Sequence, residues 1–154
     1  MDHETDDASG RAHGQRDAGG PLMATLVQYG IGLFLALHGL VHGWYVVLSQ
    51  GWVEVEDAMG WNGESWLLTG VLPDGVILNL ASVLYVVVAG GFVLGAVGYV
   101  LDSDWATSVL VGSAVLSTVV LVVMWDGRFD LLVEKGILGV FINAFVIVWL
   151  LVLE

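Results

Sequence analysis

Four long apolar stretches occupy this chain between residues 22 and 153, at about 22–48, 76–101, 105–125 and 131–153. Each reaches or exceeds the ~18–20 apolar residues that a helix needs to cross the ~30 Å hydrocarbon core of a bilayer. Hydrocarbon offers backbone N–H and C=O groups no water partners, so each stretch has to close its hydrogen bonds internally, as a helix. The expected fold is therefore all-α: an integral membrane, antiparallel four-helix bundle with an interfacial segment in its first loop. Two short connections carry the antiparallel expectation, Asp102-Ser103-Asp104 and Asp126-Gly127-Arg128-Phe129-Asp130. Ser103 or Asp104 is the expected cap of the third helix.

With 154 residues, 57% of them hydrophobic, there is material for one membrane domain over residues 22–154 and none for a second. The chain has no cysteine, which rules out disulfides, thiolate metal sites and iron–sulfur clusters. Sixteen acidic residues against four basic ones give a formal charge of −12. Such a polyanion repels nucleic acid and anionic headgroups, leaving the lipid bilayer itself and other membrane subunits as expected partners. An acidic surface with Lys135 as its single lysine resembles that of proteins from salt-loving archaea, where salt screens the self-repulsion.

Residues 1–21 are polar, charged and glycine-rich and read as a disordered acidic tail, with His3 and His13 solvated within it. The apolar run that follows is far longer than the ~7–15 residues of a signal h-region, so it reads as a span. After it comes a loop of roughly twenty-five residues, long by the standards of compact folds. Trp52, Trp61, Trp66, Leu67 and Leu68 argue that it lies in the headgroup layer, where tryptophan prefers to sit. Residues 57–72 are expected to form a short interfacial helix or a partly re-entrant segment, closed by Pro73-Asp74-Gly75.

Small residues mark the faces on which helices should approach one another. They are Gly32, Ala36, Gly39 and Gly43 in the first span, Gly91 and Gly95 in the second, and Ser108, Gly112, Ser113 and Ser117 in the third. The positive-inside rule is tied, with Arg11 and Arg16 on one side and Arg128 and Lys135 on the other.

His38 and His42 are the histidines within the apolar stretches, both in the first. At i, i+4 spacing their imidazoles share one side of the helix with Ile31, Leu35 and Tyr45. Polar side chains in a span normally face the bundle interior or a wet cavity. Asn79 and Asn143 are the asparagines inside the spans, and Arg128 sits among acids at the same membrane end as the long loop. Three uses of the histidine pair remain open. They can hydrogen-bond structurally to Ser82, Tyr85 or Asn143, or handle protons or a quinone beneath Arg128. They can also chelate a metal, given further ligands such as Glu54, Glu56 or Asp57. A bis-histidine haem is disfavoured, because its axial ligands come from opposite faces and both histidines share one helix. No nucleophile–base–orienter set or nucleotide motif is present, so the chain reads as non-catalytic.

The segment Gly32-Leu33-Phe34-Leu35-Ala36-Leu37-His38-Gly39-Leu40 resembles the opening helix of DoxX-like membrane proteins. That family has four spans, a long first loop, and a first-helix pattern of glycine, aromatic, then His-Gly. Gln28 and Tyr29 stand where the family has a basic residue, His42 lies where a lysine often follows, and Asn79 or Ser82 is nearest to an expected second-span carboxylate. The resemblance implies an accessory or quinone-linked subunit of a membrane redox complex, with both termini inside. The rival classes are a proton-conducting or transport protein using His38 and His42, and a structural membrane partner without ligand.

Overall fold

The computed structural model describes residues 19–53, 61, 63–130, 132, 133 and 135–153, and these are all-helical, without strands. Residues 1–18, with His3 and His13, and the loop acids Glu54, Glu56, Asp57 and Glu134 lie outside the described residues. Four helices follow in order: α1 (Gly19–Ser49), α2 (Asp74–Val100), α3 (Ala106–Val123) and α4 (Ile137–Val148). α4 runs on into one π-helical turn, Trp149–Leu153. α1, α2 and α3 are long and apolar enough to cross a membrane.

The fourth apolar element, Ile137–Val152, is shorter than the span expected from residue 131. Gly136 is the cause: its φ of +97° belongs to the left-handed region and cannot sit inside a helix. Leu121 and the Tyr45 hydroxyl also crowd the space that a side chain there would need. Residues 132, 133, 135 and 136 therefore turn before the helix begins. At the other end α1 starts at Gly19, three residues into what reads as tail.

Along each successive pair of helices, residues towards the start of one meet residues towards the end of the other. Between α1 and α2, Gly32 lies on Val100 and Gly39 lies on Phe92. A glutamine near each end of α1 reinforces this pair. Gln28 donates to the Tyr99 and Val100 carbonyls at 3.2 and 3.4 Å, and Gln50 donates to Ser82 Oγ at 2.6 Å. Between α2 and α3, Gly91 lies on Ser113, Gly95 on Leu110 and Gly98 on Trp105. Between α3 and α4, Leu121 lies on Gly139. Gly43 and Gly112, by contrast, have open space where a side chain would go, so they take no part in these contacts.

The turn between α2 and α3 is made by backbone alone. Ser103 N–H reaches the Gly98 carbonyl at 2.9 Å and Asp102 takes a φ of +53°. The side-chain cap expected from Ser103 or Asp104 is not formed; Trp105 occupies the cap position and Ala106 N–H bonds the Ser103 carbonyl instead.

The described part of the first loop is a series of turns rather than a helix, interrupted at Gly63 and Gly70, both at positive φ. It docks on the last turn of α3, whose final carbonyls have no partner within the helix. Ser65 Oγ–H donates to the Val123 carbonyl at 2.6 Å, the Trp66 indole to Val122 at 2.8 Å and the Trp66 amide to Trp125 at 2.7 Å. The expected interfacial tryptophan is thus a cap for a neighbouring helix.

Two apolar clusters fill the interior. One gathers Leu35, Val88, Phe92, Leu110, Val146 and Leu150 from all four helices. The other gathers Tyr45, Ile77, Tyr85, Val120, Leu121 and Met124 towards the loop end. The closest backbone approach between α1 and α2 gives a test. A Cβ on Gly39 would sit 2.5 Å from Phe92 Cβ and 3.2 Å from the Ala89 carbonyl oxygen, whereas one on Gly43 would meet nothing. Gly39→Ala should cost roughly 1–3 kcal/mol of stability through overpacking. Gly43→Ala should be neutral or slightly stabilising, and thermal melting in detergent measures both.

Candidate functional site: a buried ring of polar side chains

His38 and His42 face the interior, 7% and 2% exposed, together with Ser117 and Asn143 at 0%. α1 supplies the imidazoles, α3 the hydroxyl and α4 the amide. His38 Nε2 lies 2.9 Å from Asn143 Oδ1, and Asn143 Nδ2 lies 2.8 Å from Ser117 Oγ. Ser117 Oγ is 2.7 Å from His42 Nε2, and His42 Nδ1 is 3.1 Å from the His38 carbonyl oxygen.

The proton on each atom follows from its partners. The Thr118 hydroxyl donates to the Ala114 carbonyl at 2.9 Å, so at 3.3 Å it can only accept from Asn143 Nδ2. This fixes the amide orientation and leaves Asn143 Oδ1 to accept from His38 Nε2–H. A carbonyl only accepts, so His42 carries its proton on Nδ1 and its Nε2 accepts from the Ser117 hydroxyl. With both imidazoles neutral, every bond in the circuit runs the same way: His38 to Asn143 to Ser117 to His42, and back to the backbone of His38. No buried side-chain nitrogen or oxygen among the described residues lacks a partner.

α2 contributes ring faces to this site. Phe92 lies edge-on to His38, with ring centroids 4.9 Å apart, and stacks on His42 at 5.9 Å. Gly39, between the two histidines, is what lets Phe92 approach so closely. The Phe34 ring lies nearly parallel to that of His38, with centroids 6.3 Å apart. Tyr45 stacks on Tyr85 at 4.9 Å and belongs to the loop-end cluster rather than to the ring. Apolar side chains of the two clusters thus flank the circuit.

Of the other residues singled out in the sequence, Asn143 joins the histidines. Asn79 points outward and is exposed. Arg128 stands apart in the loop after α3, largely exposed and 3.4 Å from Glu64. Ser82, a possible partner for a histidine, instead accepts from Gln50 and donates to the Leu78 carbonyl. The residue that the sequence conceals is Ser117. It reads as one small residue in a packing stripe, yet it joins His42 to Asn143. For the metal reading, His42 has both ring nitrogens in hydrogen bonds, while Nδ1 of His38 makes none among the described residues. Among the described residues there is no group of three or more histidines and carboxylates that could hold an ion.

A second polar group sits at the loop end. Lys135 Nζ lies 2.8 Å from Asp126 Oδ2 and 3.0 Å from Asp130 Oδ1, and Asp126 Oδ1 accepts the Arg128 backbone N–H at 3.0 Å. Burial alone would raise the Asp126 carboxyl, but the bond from Lys135, the Arg128 amide and both cationic charges hold it below the usual carboxylate range. Burial likewise works against the Lys135 ammonium, and its two carboxylate partners prevail and raise it. The Asp126 contribution to stability is therefore complete above the ordinary carboxylate value of ~3.9 and is lost as pH falls through its lower folded value. That of Lys135 is complete below ~10.4 and is lost as pH rises through its higher folded value.

No family model, curated protein or solved structure matches this chain. The ring itself yields the test. Asn143→Ala removes the acceptor of His38 and a donor to Ser117, and leaves buried polar groups without partners. It should lower stability in detergent by roughly 1–3 kcal/mol. Asn79→Ala, on the exposed surface, should leave the melting temperature unchanged.

Proposed function

We propose that this chain is a multi-pass integral membrane protein, with residues 137–153 completing an antiparallel four-helix bundle, and that it serves as a non-catalytic accessory subunit of a membrane redox complex. One observation carries the non-catalytic part: the polar circuit within the apolar helices closes on itself. A catalytic or conducting histidine needs a route for its substrate or its proton. Here His42 has both nitrogens engaged, and the clusters around Leu35 and around Tyr45 lie to either side of the ring. Such a circuit fixes the register of α1, α3 and α4, which is a structural task.

The redox setting is supported by the first-helix segment Gly32 to Leu40 and its likeness to DoxX-like proteins, with a quinone as the expected small molecule and both termini inside. A second reading, proton conduction through the pair, draws support from His38 Nδ1, which makes no hydrogen bond among the described residues.

Because the chain has no cysteine, single introduced cysteines report topology directly. Trp61→Cys and Gly127→Cys should label from one side of sealed vesicles and Ser103→Cys from the other. Labelling of positions 61 and 127 from opposite sides would contradict the bundle. In proteoliposomes the protein should pass no protons under a pH gradient. A flux that disappears in His38→Ala would select the second reading over the first.

A further inference from the structure

The first helix outruns the bundle at the end away from the long loop. Gln28 donates to the Tyr99 and Val100 carbonyls, and α2 ends at Val100. The part of α1 from Gly19 to Val27 therefore stands beyond α2, a projection of about 14 Å at ~1.5 Å per residue. Residues 20–27 are all exposed, and Leu22, Met23, Leu26 and Val27 keep more than half of their surface open.

On the membrane reading above, the turn after α2 sets the depth of this projection. Asp102 and Asp104 are exposed carboxylates, which belong at the watery edge of the bilayer and not in its hydrocarbon. An apolar helix carried past that level faces headgroups and water on every side. Apolar surface so placed marks a contact with another molecule.

The surface offered there has two kinds of wall. An open cleft of about 500 Å³ runs along α1 at Met23, Ala24, Val27 and Gln28 and reaches Tyr99. A second, of about 220 Å³, begins at the same tyrosine and is bounded by Asp102, Asp104 and Thr107. Among the described residues neither carboxylate makes an ion pair, and no cation lies at this end, since Arg128 and Lys135 follow α3 at the other.

Charge decides what can cover it. A second copy in the same orientation would set these acids against their own duplicates. Residues 1–18 bring Arg11 and Arg16 but also Asp2, Glu4, Asp6, Asp7 and Asp17, and apart from Met1 their apolar residues are alanines. Anionic lipid is repelled by the same carboxylates. A helix of another protein, apolar on one face and basic along its edge, meets both walls.

We propose that the projecting start of α1, with the cleft that crosses Tyr99 to the α2–α3 turn, docks an amphipathic helix of a partner subunit. Its apolar face covers Met23 and Val27, and its lysines or arginines pair with Asp102 and Asp104. The inference rests on the reading of this chain as an accessory membrane subunit, and it supplies the face and the partner's chemistry.

The test holds the full chain in phosphatidylcholine nanodiscs, with empty discs as the blank. The probes are two labelled synthetic helices with leucines on one face, one carrying lysines on the other face and one glutamates. Fluorescence anisotropy reads their binding. The lysine helix should bind discs with protein about tenfold more tightly than empty discs, and about tenfold more tightly than the glutamate helix binds the same protein. Asp102→Asn with Asp104→Asn should erase that preference, as should high salt. Met23→Gln with Val27→Gln should weaken the lysine helix about fivefold or more. All four positions are exposed, so both variants should melt as the wild type does.

Undiminished binding of the lysine helix in either variant overturns the proposal. So does a spin label at Met23→Cys that relaxes with oxygen dissolved in the bilayer instead of with a water-soluble nickel complex, since lipid would then be the cover. Disulfide cross-linking of Met23→Cys between two copies in one disc would overturn it in favour of self-association. These outcomes leave the membrane reading intact. Failure of the wild-type chain to enter the discs at all, scored first, would overturn that reading and the proposal with it.

Discussion

A polar group buried in an apolar body has to find its partner inside the protein, and this structure is organised around that requirement. Four polar side chains, from three helices, meet at its centre. Left singly they would each cost about 1–3 kcal/mol. Joined head to tail, His38, Asn143, Ser117 and His42 satisfy one another, and the last bond returns to the backbone of the first. Such bonds fix helix register better than apolar packing does, because a shift of one helical turn past another would break those that cross between the two helices. Between membrane helices, where the hydrophobic effect cannot distinguish one apolar face from another, polar contacts of this kind and close packing of small residues supply the specificity.

α2 is held by close packing. It gives no atom to the hydrogen-bonded circuit, but it lies against α1 at Gly32 and Gly39 and against α3 from Gly91, Gly95 and Gly98. Phe92 uses the space left by Gly39 to pack against both imidazoles, so the glycine contact and the polar ring depend on one another. At the loop end the same physical demand takes another form. The unsatisfied carbonyls that finish α3 are met by Ser65 and Trp66, and Lys135 draws Asp126 and Asp130 together just before α4 begins. That arrangement, with Gly136 in its left-handed conformation, shortens the fourth helix and leaves a cavity beside it.

Much of this was legible in the sequence, and the shortfalls are instructive. Hydropathy and the i, i+4 spacing found the helices and the inward-facing histidines, because both depend on local periodicity. Asn143 stood out as an amide in an apolar run. Ser117 did not, since a serine in a membrane helix serves equally well as a small packing residue or as a hydrogen-bonding one, and only the register of α3 against α1 decides. Asn79 and Asn143 look alike in sequence, yet one faces outward and the other is fully buried. Trp66 carried the signature of the headgroup layer, but its indole N–H caps α3, a long-range contact that no local pattern encodes. The late start of α4 turns on Gly136, whose positive φ cannot be told from that of a helical glycine by residue type alone.

The direction of the ring is its most specific property, and nuclear magnetic resonance of isotope-labelled imidazole nitrogens reads it directly. In a membrane-reconstituted protein carrying His3→Gln and His13→Gln, the two remaining histidines should both be neutral and should be opposite tautomers. His38 should carry its proton on Nε2 and His42 on Nδ1, and Ser117→Ala should perturb the Nε2 resonance of His42. Two histidines in the same tautomer, or nitrogen shifts that average as they do in water, would contradict the closed circuit.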